Sequence, residues 1–345
     1  MPDLDVLRRL VHPGSNSADY GASGRSEWLD IDWEPLRKRI AVRGSEIEYV
    51  DFGEGDEAIL FIHGLGAAWQ TWLENLPFFS RTHRVIALDL PGFGRSEMPP
   101  DTISIEFFGE VLVEFCAALG LDGVTVVGNS MGGFIGAELA IRAPERVERL
   151  VLVSAAVFWQ EYRRAKPLMT AAKFSEAGIG VALAAGQKRM TSSSRPRARA
   201  IALGFGGFRY PHLLDPRLQI EILRTCRRTA GFVPALHSLG SYPLRDELPR
   251  ISCPTLVVWG TEDTLVSVRH AHDIADLIPS ARKVIYERTG HVAMIERPDR
   301  FNRDLAEFMA ESPGKTAADE AAVRSARARE GNGRAPEPAG DASTA

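Results

Sequence analysis

The residue best placed to act as a nucleophile is Ser130, at the centre of the string Gly128-Asn129-Ser130-Met131-Gly132. An apolar run precedes this Gly-x-Ser-x-Gly string and an amphipathic run follows it, which places the serine in a turn between a strand and a helix. Such a turn holds the hydroxyl above the edge of a sheet, and small glycines allow strand and helix to approach closely. The pattern predicts nucleophilic catalysis by Ser130.

A serine hydroxyl is a weak nucleophile, so Ser130 needs a base, and the base needs an orienting carboxylate. Of the eight histidines, His291 is the predicted base because it follows the last strand pattern, in a loop at the edge where the serine turn lies. Asp263 follows the preceding strand pattern and is the predicted carboxylate, with Glu262 as its rival. The chain order Ser, Asp, His agrees with this assignment. A helix N-cap is the alternative role for Asp263.

Two backbone N–H groups are predicted to stabilise the negative charge that develops on an attacked carbonyl oxygen. Met131 begins the helix after the nucleophile and offers its amide together with the helix dipole. Leu65 follows His63-Gly64 at the end of another strand pattern and is the second predicted donor. His63 itself is interpreted as a structural hydrogen-bonding residue. The loop at 89–96 is expected to shape the floor of the site without taking part in chemistry.

The elements that position these residues are predicted from short apolar runs that alternate with helical patterns. Strands buried on both faces and separated by helix-length crossovers indicate a mostly parallel sheet covered by helices, which is an α/β fold. Right-handed crossovers bring successive strand ends to one edge. Eight strands are predicted, at residues 39–43, 46–51, 58–62, 85–88, 124–127, 150–153, 255–259 and 284–286.

The domain organisation follows from where this alternation starts and stops. The core is predicted to comprise residues 38–155 and 246–311, interrupted by a helical cap at 156–245 where the strand pattern ends. Residues 1–37 include a Gly- and Ser-rich link and are predicted to be a flexible N-terminal extension. Residues 312–345 have few large apolar side chains and are predicted to be a disordered tail.

Composition places the chain among ordinary soluble globular proteins. The 345 residues carry a formal net charge of −4 and a sequence pI of about 6.1, which gives no electrostatic reason to expect nucleic acid as a partner. The three cysteines, Cys116, Cys226 and Cys253, fit neither a disulfide framework nor a metal-ligand spacing. We therefore expect a cytoplasmic protein that uses neither a cofactor nor a metal ion.

The predicted cap differs in charge from the rest of the chain. Residues 156–235 contain fourteen Arg and Lys against four Asp and Glu. Such an excess can attract an acidic acyl substrate, a coenzyme A moiety or a phospholipid surface. Its alternative role is to form solvated helix faces whose Arg stems cover apolar surface. Aromatic residues of the cap are expected to wall an acyl pocket, and those predicted to bind the substrate are Trp159, Phe205 and Phe208.

The strings around His63, Ser130, Asp263 and His291 together resemble the α/β-hydrolase superfamily across residues 38–311, in its serine esterase and lipase-like branch. The resemblance implies an α/β-hydrolase fold and hydrolysis of carboxylic esters through an acyl-enzyme intermediate. The substrate implied is a small molecule with an acyl group.

Other activities are open on the same three residues. The string Gly-Asn-Ser-Met-Gly-Gly is also similar to the turn of hydrolases that cleave carbon–carbon bonds in diketones, although those carry a tryptophan where this chain has Val292. Acyl transfer and cofactor-free haloperoxidation are further alternatives. The resemblance to dehalogenases and epoxide hydrolases fails, because they use an aspartate where this chain has Ser130. A non-catalytic protein that binds ligands on a hydrolase scaffold is the alternative of another class.

Overall fold

The structure is a computed structural model that describes residues 19–158, 203, 207–225 and 229–311. The strands in these residues are β1 (Arg37–Val42), β2 (Ser45–Phe52), β3 (Ala58–Ile62), β4 (Arg84–Leu88), β5 (Val124–Asn129), β6 (Val147–Val153), β7 (Thr255–Gly260) and β8 (Ala281–Tyr286). They form one sheet in the order β1-β2-β4-β3-β5-β6-β7-β8. β2 is antiparallel to β1 and β4, and the other neighbouring strands are parallel. The prediction of a mostly parallel eight-stranded sheet is confirmed.

The inner strands are buried on both faces, which explains their nearly continuous apolar composition. Every residue of β5 and β7 is buried. Successive side chains of β3 point to opposite faces, as strand geometry requires. Leu60 belongs to the apolar cluster that contains Phe108, whereas Phe61 belongs to the cluster that contains Trp72 and Phe301. The sheet therefore separates two apolar layers.

Helices cover both faces of the sheet. They are α1 (Leu76–Phe79), α2 (Ile105–Ala118), α3 (Met131–Arg142), α4 (Pro216–Thr225), α5 (Phe232–Leu239), α6 (Arg269–Leu277), α7 (Ala293–Glu296) and α8 (Pro298–Ala310). Short 3-10 helices lie at Glu27–Asp30, Trp69–Trp72, Pro144–Arg146, Pro211–Leu213 and Arg245–Arg250. Within the described part of the chain, every helix falls short of the length or the apolar character needed to cross a membrane.

Part of the predicted cap lies among the described residues. Within 156–245 these residues form α4 and α5 and contain no strand. Trp159 and Phe205, two of the predicted substrate contacts, lie outside the described residues, as do most of the basic residues of the cap. The predicted tail at 312–345 lies outside them as well. The boundaries of the cap and its contact with an anionic surface therefore stay predictions.

The structure differs from the predicted flexible extension in residues 19–36, which pack against the core. Tyr20 and Trp28 are buried, and Nε1 of Trp28 donates to the carboxylate of Glu74 at 3.0 Å. The Trp33 ring also packs against that of Trp69 in a tilted arrangement, with ring centroids 5.1 Å apart. The Gly- and Ser-rich composition of the segment does not predict that these aromatic side chains pack against the core, because their partners lie far away in the sequence.

Candidate active site

The turn around Ser130 has the strained backbone that a nucleophile turn requires. Ser130 lies between β5 and α3 with a φ of 54° and a ψ of −115°, a conformation that non-glycine residues rarely adopt. A Cβ atom on Gly128 would lie 2.3 Å from the carbonyl oxygen of Gly132. A Cβ atom on Gly132 would in turn lie 2.2 Å from the carbonyl oxygen of Ile62. Both glycines of the motif are therefore needed where strand and helix meet.

His291 and Asp263 form a buried hydrogen-bonded pair at one edge of the sheet. Nδ1 of His291 lies 2.8 Å from Oδ2 of Asp263. Asp263 follows β7 and His291 follows β8, so two neighbouring parallel strands bring them together. Oδ1 of Asp263 accepts hydrogen bonds from the N–H groups of Leu265 at 2.8 Å and Val266 at 2.9 Å. With the Nδ1 proton donated to Asp263, Nε2 of His291 keeps the lone pair that a base needs.

The rival carboxylate, Glu262, is engaged by other partners. It forms an ion pair with Arg209, and its backbone N–H donates to the carbonyl oxygen of Thr289 at 2.9 Å. Asp263 is thus the carboxylate that the structure brings to the imidazole of His291.

A side-chain amide joins the Ser130 turn to the loop that carries His291. Nδ2 of Asn129 donates to the carbonyl oxygen of His291 at 3.3 Å and to that of Val153 at 3.1 Å. The residue before the candidate nucleophile therefore contacts the residue that would supply the base. The hydrogen bonds of the described residues do not include one between the Ser130 hydroxyl and the His291 ring. Hydrogen bonds between a nucleophile and its base often tighten only when substrate binds.

The loop after β3 lies directly against Ser130. A Cβ atom on Gly64 would lie 3.2 Å from the Cβ atom of Ser130. Leu65, the next residue, is therefore adjacent to the Ser130 turn. Met131 begins α3 and is fully buried. The two predicted oxyanion donors, Leu65 and Met131, belong to the two backbone segments that flank Ser130.

His63 holds this loop from inside the protein. Its Nδ1 lies 2.7 Å from the carbonyl oxygen of Gly64, and its Nε2 accepts a hydrogen bond from the Leu90 N–H at 3.0 Å. Because Nε2 accepts, the proton resides on Nδ1 and is donated to Gly64. Burial lowers the pKa of His63 to about 4, so the ring is neutral at pH 7. His63 is a structural hydrogen-bonding residue, as expected from the sequence.

Asp89 supports the same region from the loop after β4. Its Oδ1 accepts from the Trp69 N–H and its Oδ2 from the Arg95 N–H, each at 2.8 Å. A Cβ atom on Gly94 would lie 2.0 Å from Oδ2 of Asp89, so this turn admits only glycine. The loop therefore shapes the structure beside the site by binding backbone amides.

Phe208 is the one predicted substrate contact that lies among the described residues. Only 6% of its surface is exposed, and it belongs to the apolar cluster that contains Val292 and Met294. This burial favours a packing role beside the His291 loop. Contact between Phe208 and substrate stays a prediction.

Three residues beside the site were not identified from the sequence. The ring of Phe232 packs on the loop after β3, because a Cβ atom on Gly66 would lie 3.1 Å from it. Gly207 contacts the candidate base, since a Cβ atom there would lie 2.6 Å from the Cβ atom of His291. Glu296 is fully buried five residues after His291. For these three residues, the signal that the sequence offers is the short spacing of Glu296 from His291.

Comparisons with known proteins agree with this fold. A family model described as the alpha/beta hydrolase fold matches residues 57–298. The 2-hydroxy-6-oxo-6-(2'-aminophenyl)hexa-2,4-dienoic acid hydrolase of Metapseudomonas resinovorans is 30% identical, over 79% of this chain and 91% of its own length. The pimeloyl-[acyl-carrier protein] methyl ester esterase of Aeromonas hydrophila subsp. hydrophila is 27% identical, over 75% of this chain and 97% of its own length.

A solved structure is similar as well. A bacterial membrane phospholipase A, described as a virulence factor, superposes with a TM-score of 0.64 and 28% identity, over 79% of this chain and 85% of its own. The sheet order, the strained serine turn and the family match lead to the same conclusion. The chain belongs to the α/β-hydrolase fold family.

Proposed function

We propose that the chain is a serine hydrolase that cleaves carboxylic esters, with Ser130 as nucleophile, His291 as base and Asp263 as the carboxylate that orients the base. The observation that carries the proposal is the pairing of His291 with Asp263 at 2.8 Å, in a loop bonded to the residue that precedes Ser130. An imidazole held in this tautomer, beside a serine in a strained strand-to-helix turn, is the arrangement that acyl-enzyme chemistry uses.

In the proposed reaction, Nε2 of His291 takes the hydroxyl proton as Ser130 attacks the ester carbonyl carbon. The oxyanion that forms is held by the N–H groups of Leu65 and Met131, which contribute about 3 kcal/mol each. The tetrahedral intermediate expels the alkoxide, which takes the proton from His291. A water molecule then attacks the acyl-enzyme by the same route, releases the acid and restores Ser130. Asp263 stabilises the imidazolium in both halves of the cycle.

The ester assignment draws on the similarity to the Aeromonas methyl ester esterase and to the membrane phospholipase A. A second candidate is hydrolysis of a carbon–carbon bond, favoured by the 30% identity to the Metapseudomonas enzyme. The two reactions differ in substrate and share the serine, so one set of variants tests both.

The test is fluorophosphonate labelling followed by steady-state kinetics with chromogenic esters of acetyl to palmitoyl chains and with a vinylogous diketone. We expect labelling at Ser130, loss of labelling and turnover in Ser130→Ala, and higher kcat/KM for an ester than for the diketone. Ser154→Ala is the matched control, because Ser154 directly follows β6 with a similar φ of 49° and its substitution should leave labelling at Ser130 intact. An unlabelled wild-type protein would overturn the proposed function, and a preference for the diketone would replace the ester assignment.

A further inference from the structure

The loop that carries His291 is held on both sides of that residue by one buried carboxylate. Glu296, at the end of α7, is fully buried. Its carboxylate accepts hydrogen bonds from the N–H of Gly290 at 3.0 Å and, more weakly, from the N–H of Val292 at 3.4 Å. Gly290 and Val292 are the two neighbours of His291 in the chain. The peptide groups around His291 are thus fixed by Glu296.

The next residue, Arg297, holds the part of the loop that leads to His291. The Arg297 side chain is almost fully buried. Its Nη2 donates to the carbonyl oxygens of Glu287 at 3.3 Å and Arg288 at 3.2 Å, and its Nε donates to Oγ1 of Thr289 at 3.1 Å. Glu296 and Arg297, termed the loop clamp below, therefore bind the N–H groups and the carbonyl groups of one continuous segment.

Two adjacent residues near the N-terminus supply partners for the loop clamp. The hydroxyl of Tyr20 donates to Oε2 of Glu296 at 2.7 Å, and Asp19 forms an ion pair with Arg297. The guanidinium of Arg297 also lies over the ring of Tyr20, 5.2 Å from its centroid. A further hydrogen bond runs from the Gly21 N–H to the backbone carbonyl of Glu296 at 2.9 Å. Tyr20 thus contacts Glu296, and Asp19 contacts Arg297.

The Tyr20 hydroxyl bridges the loop clamp and residues 207–210, which lie within the interval 156–245. It accepts a hydrogen bond from the Tyr210 N–H at 2.9 Å while it donates to Glu296. Burial raises the pKa of Tyr20 well above its ordinary value, with the negative charge of Glu296 as the next cause, so the hydroxyl keeps its proton. The N–H of Arg209 donates to the same carboxylate at 3.1 Å.

Removal of one donor from a buried carboxylate is costly, because water does not replace it. Burial also raises the pKa of Glu296, and the hydrogen bond from Tyr20 is the largest effect that opposes this rise. Without Tyr20, the carboxylate that fixes Gly290 and Val292 loses its shortest hydrogen bond. The geometry of the His291 loop therefore depends on a residue more than 270 positions away.

We propose that Asp19 and Tyr20 are positioning residues for His291, acting through Glu296 and Arg297, so that the N-terminal segment is part of the catalytic machinery. The inference rests on the proposed function for its kinetic consequences. The inference assigns a positioning role to a segment whose composition predicts only a flexible linker.

The first experiment compares Tyr20→Phe with Tyr242→Phe in the full chain. Tyr242 is the matched control, because its hydroxyl donates to the carboxylate of buried Glu138 at 2.8 Å, away from the His291 loop. We expect Tyr20→Phe to lower kcat on an ester about tenfold or more while KM stays within about twofold, as for a displaced catalytic group. Tyr242→Phe should change kcat by less than about twofold at a similar loss of thermal stability. Equal kcat values for the two variants would overturn the proposal.

The second experiment does not depend on turnover. The proton in the hydrogen bond between His291 and Asp263 should give a downfield proton NMR resonance that is absent in His291→Gln. We expect this resonance to shift or broaden in Tyr20→Phe and in Asp19→Asn, and to be unchanged in Tyr242→Phe. Asp19 is exposed, so we expect Asp19→Asn to keep the fold even if Tyr20→Phe does not. Failure of fluorophosphonate to label the wild-type protein would count against the proposed function alone, whereas an unchanged resonance in both N-terminal variants would overturn the positioning role.

Discussion

The N–H of His291 donates to the carbonyl oxygen of Gly207 at 2.9 Å, so a segment within the interval 156–245 is bonded directly to the candidate base. Gly207 has a φ of +87° and no room for a side chain, because an added Cβ would also lie 3.0 Å from Leu265. The position of His291 therefore depends on close packing against Gly207, a residue far away in the sequence.

Gly207→Ala should displace His291 and lower kcat by about tenfold or more, because the new methyl group needs the space of the His291 Cβ atom. Gly120→Ala is the matched control: Gly120 has a φ of +64° with nothing within 4 Å of an added Cβ. It should lose only about 1 kcal/mol of stability through backbone strain. Steady-state kinetics and urea unfolding of both variants check this, and equal kcat values would contradict it.

Asp263→Asn should lower kcat by about 10⁴-fold with little change in KM, because an amide does not hold the imidazole in the required tautomer. Glu262→Gln, one residue earlier, removes the charge that pairs with Arg209 and should keep most of the activity. The measurement is kcat and KM on a short ester. A larger loss in Glu262→Gln than in Asp263→Asn would exchange the roles of the two carboxylates.

Stability should fall in mild acid because of His63. Its pKa is about 4 in the folded protein and about 6.5 in the unfolded chain. Below pH 6.5 the unfolded chain binds a proton that the folded protein does not bind until about pH 4, so the free energy of unfolding decreases over that interval, by about 3 kcal/mol in full.

The variant that isolates this effect is His63→Gln, whose amide oxygen can still accept from the Leu90 N–H. Urea unfolding of both proteins from pH 7 to pH 4.5 gives the difference. We expect a smaller dependence of the free energy of unfolding on pH in the variant, and parallel curves would show that His63 does not titrate as proposed.

Phe232→Ala removes the ring that packs on Gly66, in the loop that carries the predicted oxyanion donor Leu65, and we expect it to leave more room for an acyl chain there. We expect the ratio of kcat/KM for long to short acyl esters to rise by about tenfold, a typical effect of reshaping an apolar pocket. Phe78→Ala is the control, because Phe78 is an exposed phenylalanine in α1. An unchanged chain-length preference would place the acyl site elsewhere.

The strands and the Gly-x-Ser-x-Gly turn are predictable because their signals are local. An apolar run such as β5, and the glycines around Ser130, can each be recognised within a stretch of about a dozen residues. The assignment of Asp263 and His291 follows from the rule that parallel strands end at one edge. The contacts of Tyr20 with Glu296, and of Phe232 with Gly66, cannot be predicted from a local pattern of this kind. They join distant segments through a hydrogen bond in one case and packing in the other, and no periodicity of the sequence predicts which residues will meet.

The hydrogen bonds of the Asn129 amide to Val153 and His291 tie the end of β6 to the loop after β8. Heating cannot disorder the loop that carries His291 on that side without also disturbing the end of β6 in the sheet. Loss of activity and global unfolding should therefore occur at the same temperature in a thermal scan. We expect little temperature range in which the sheet is folded while the His291 loop is disordered.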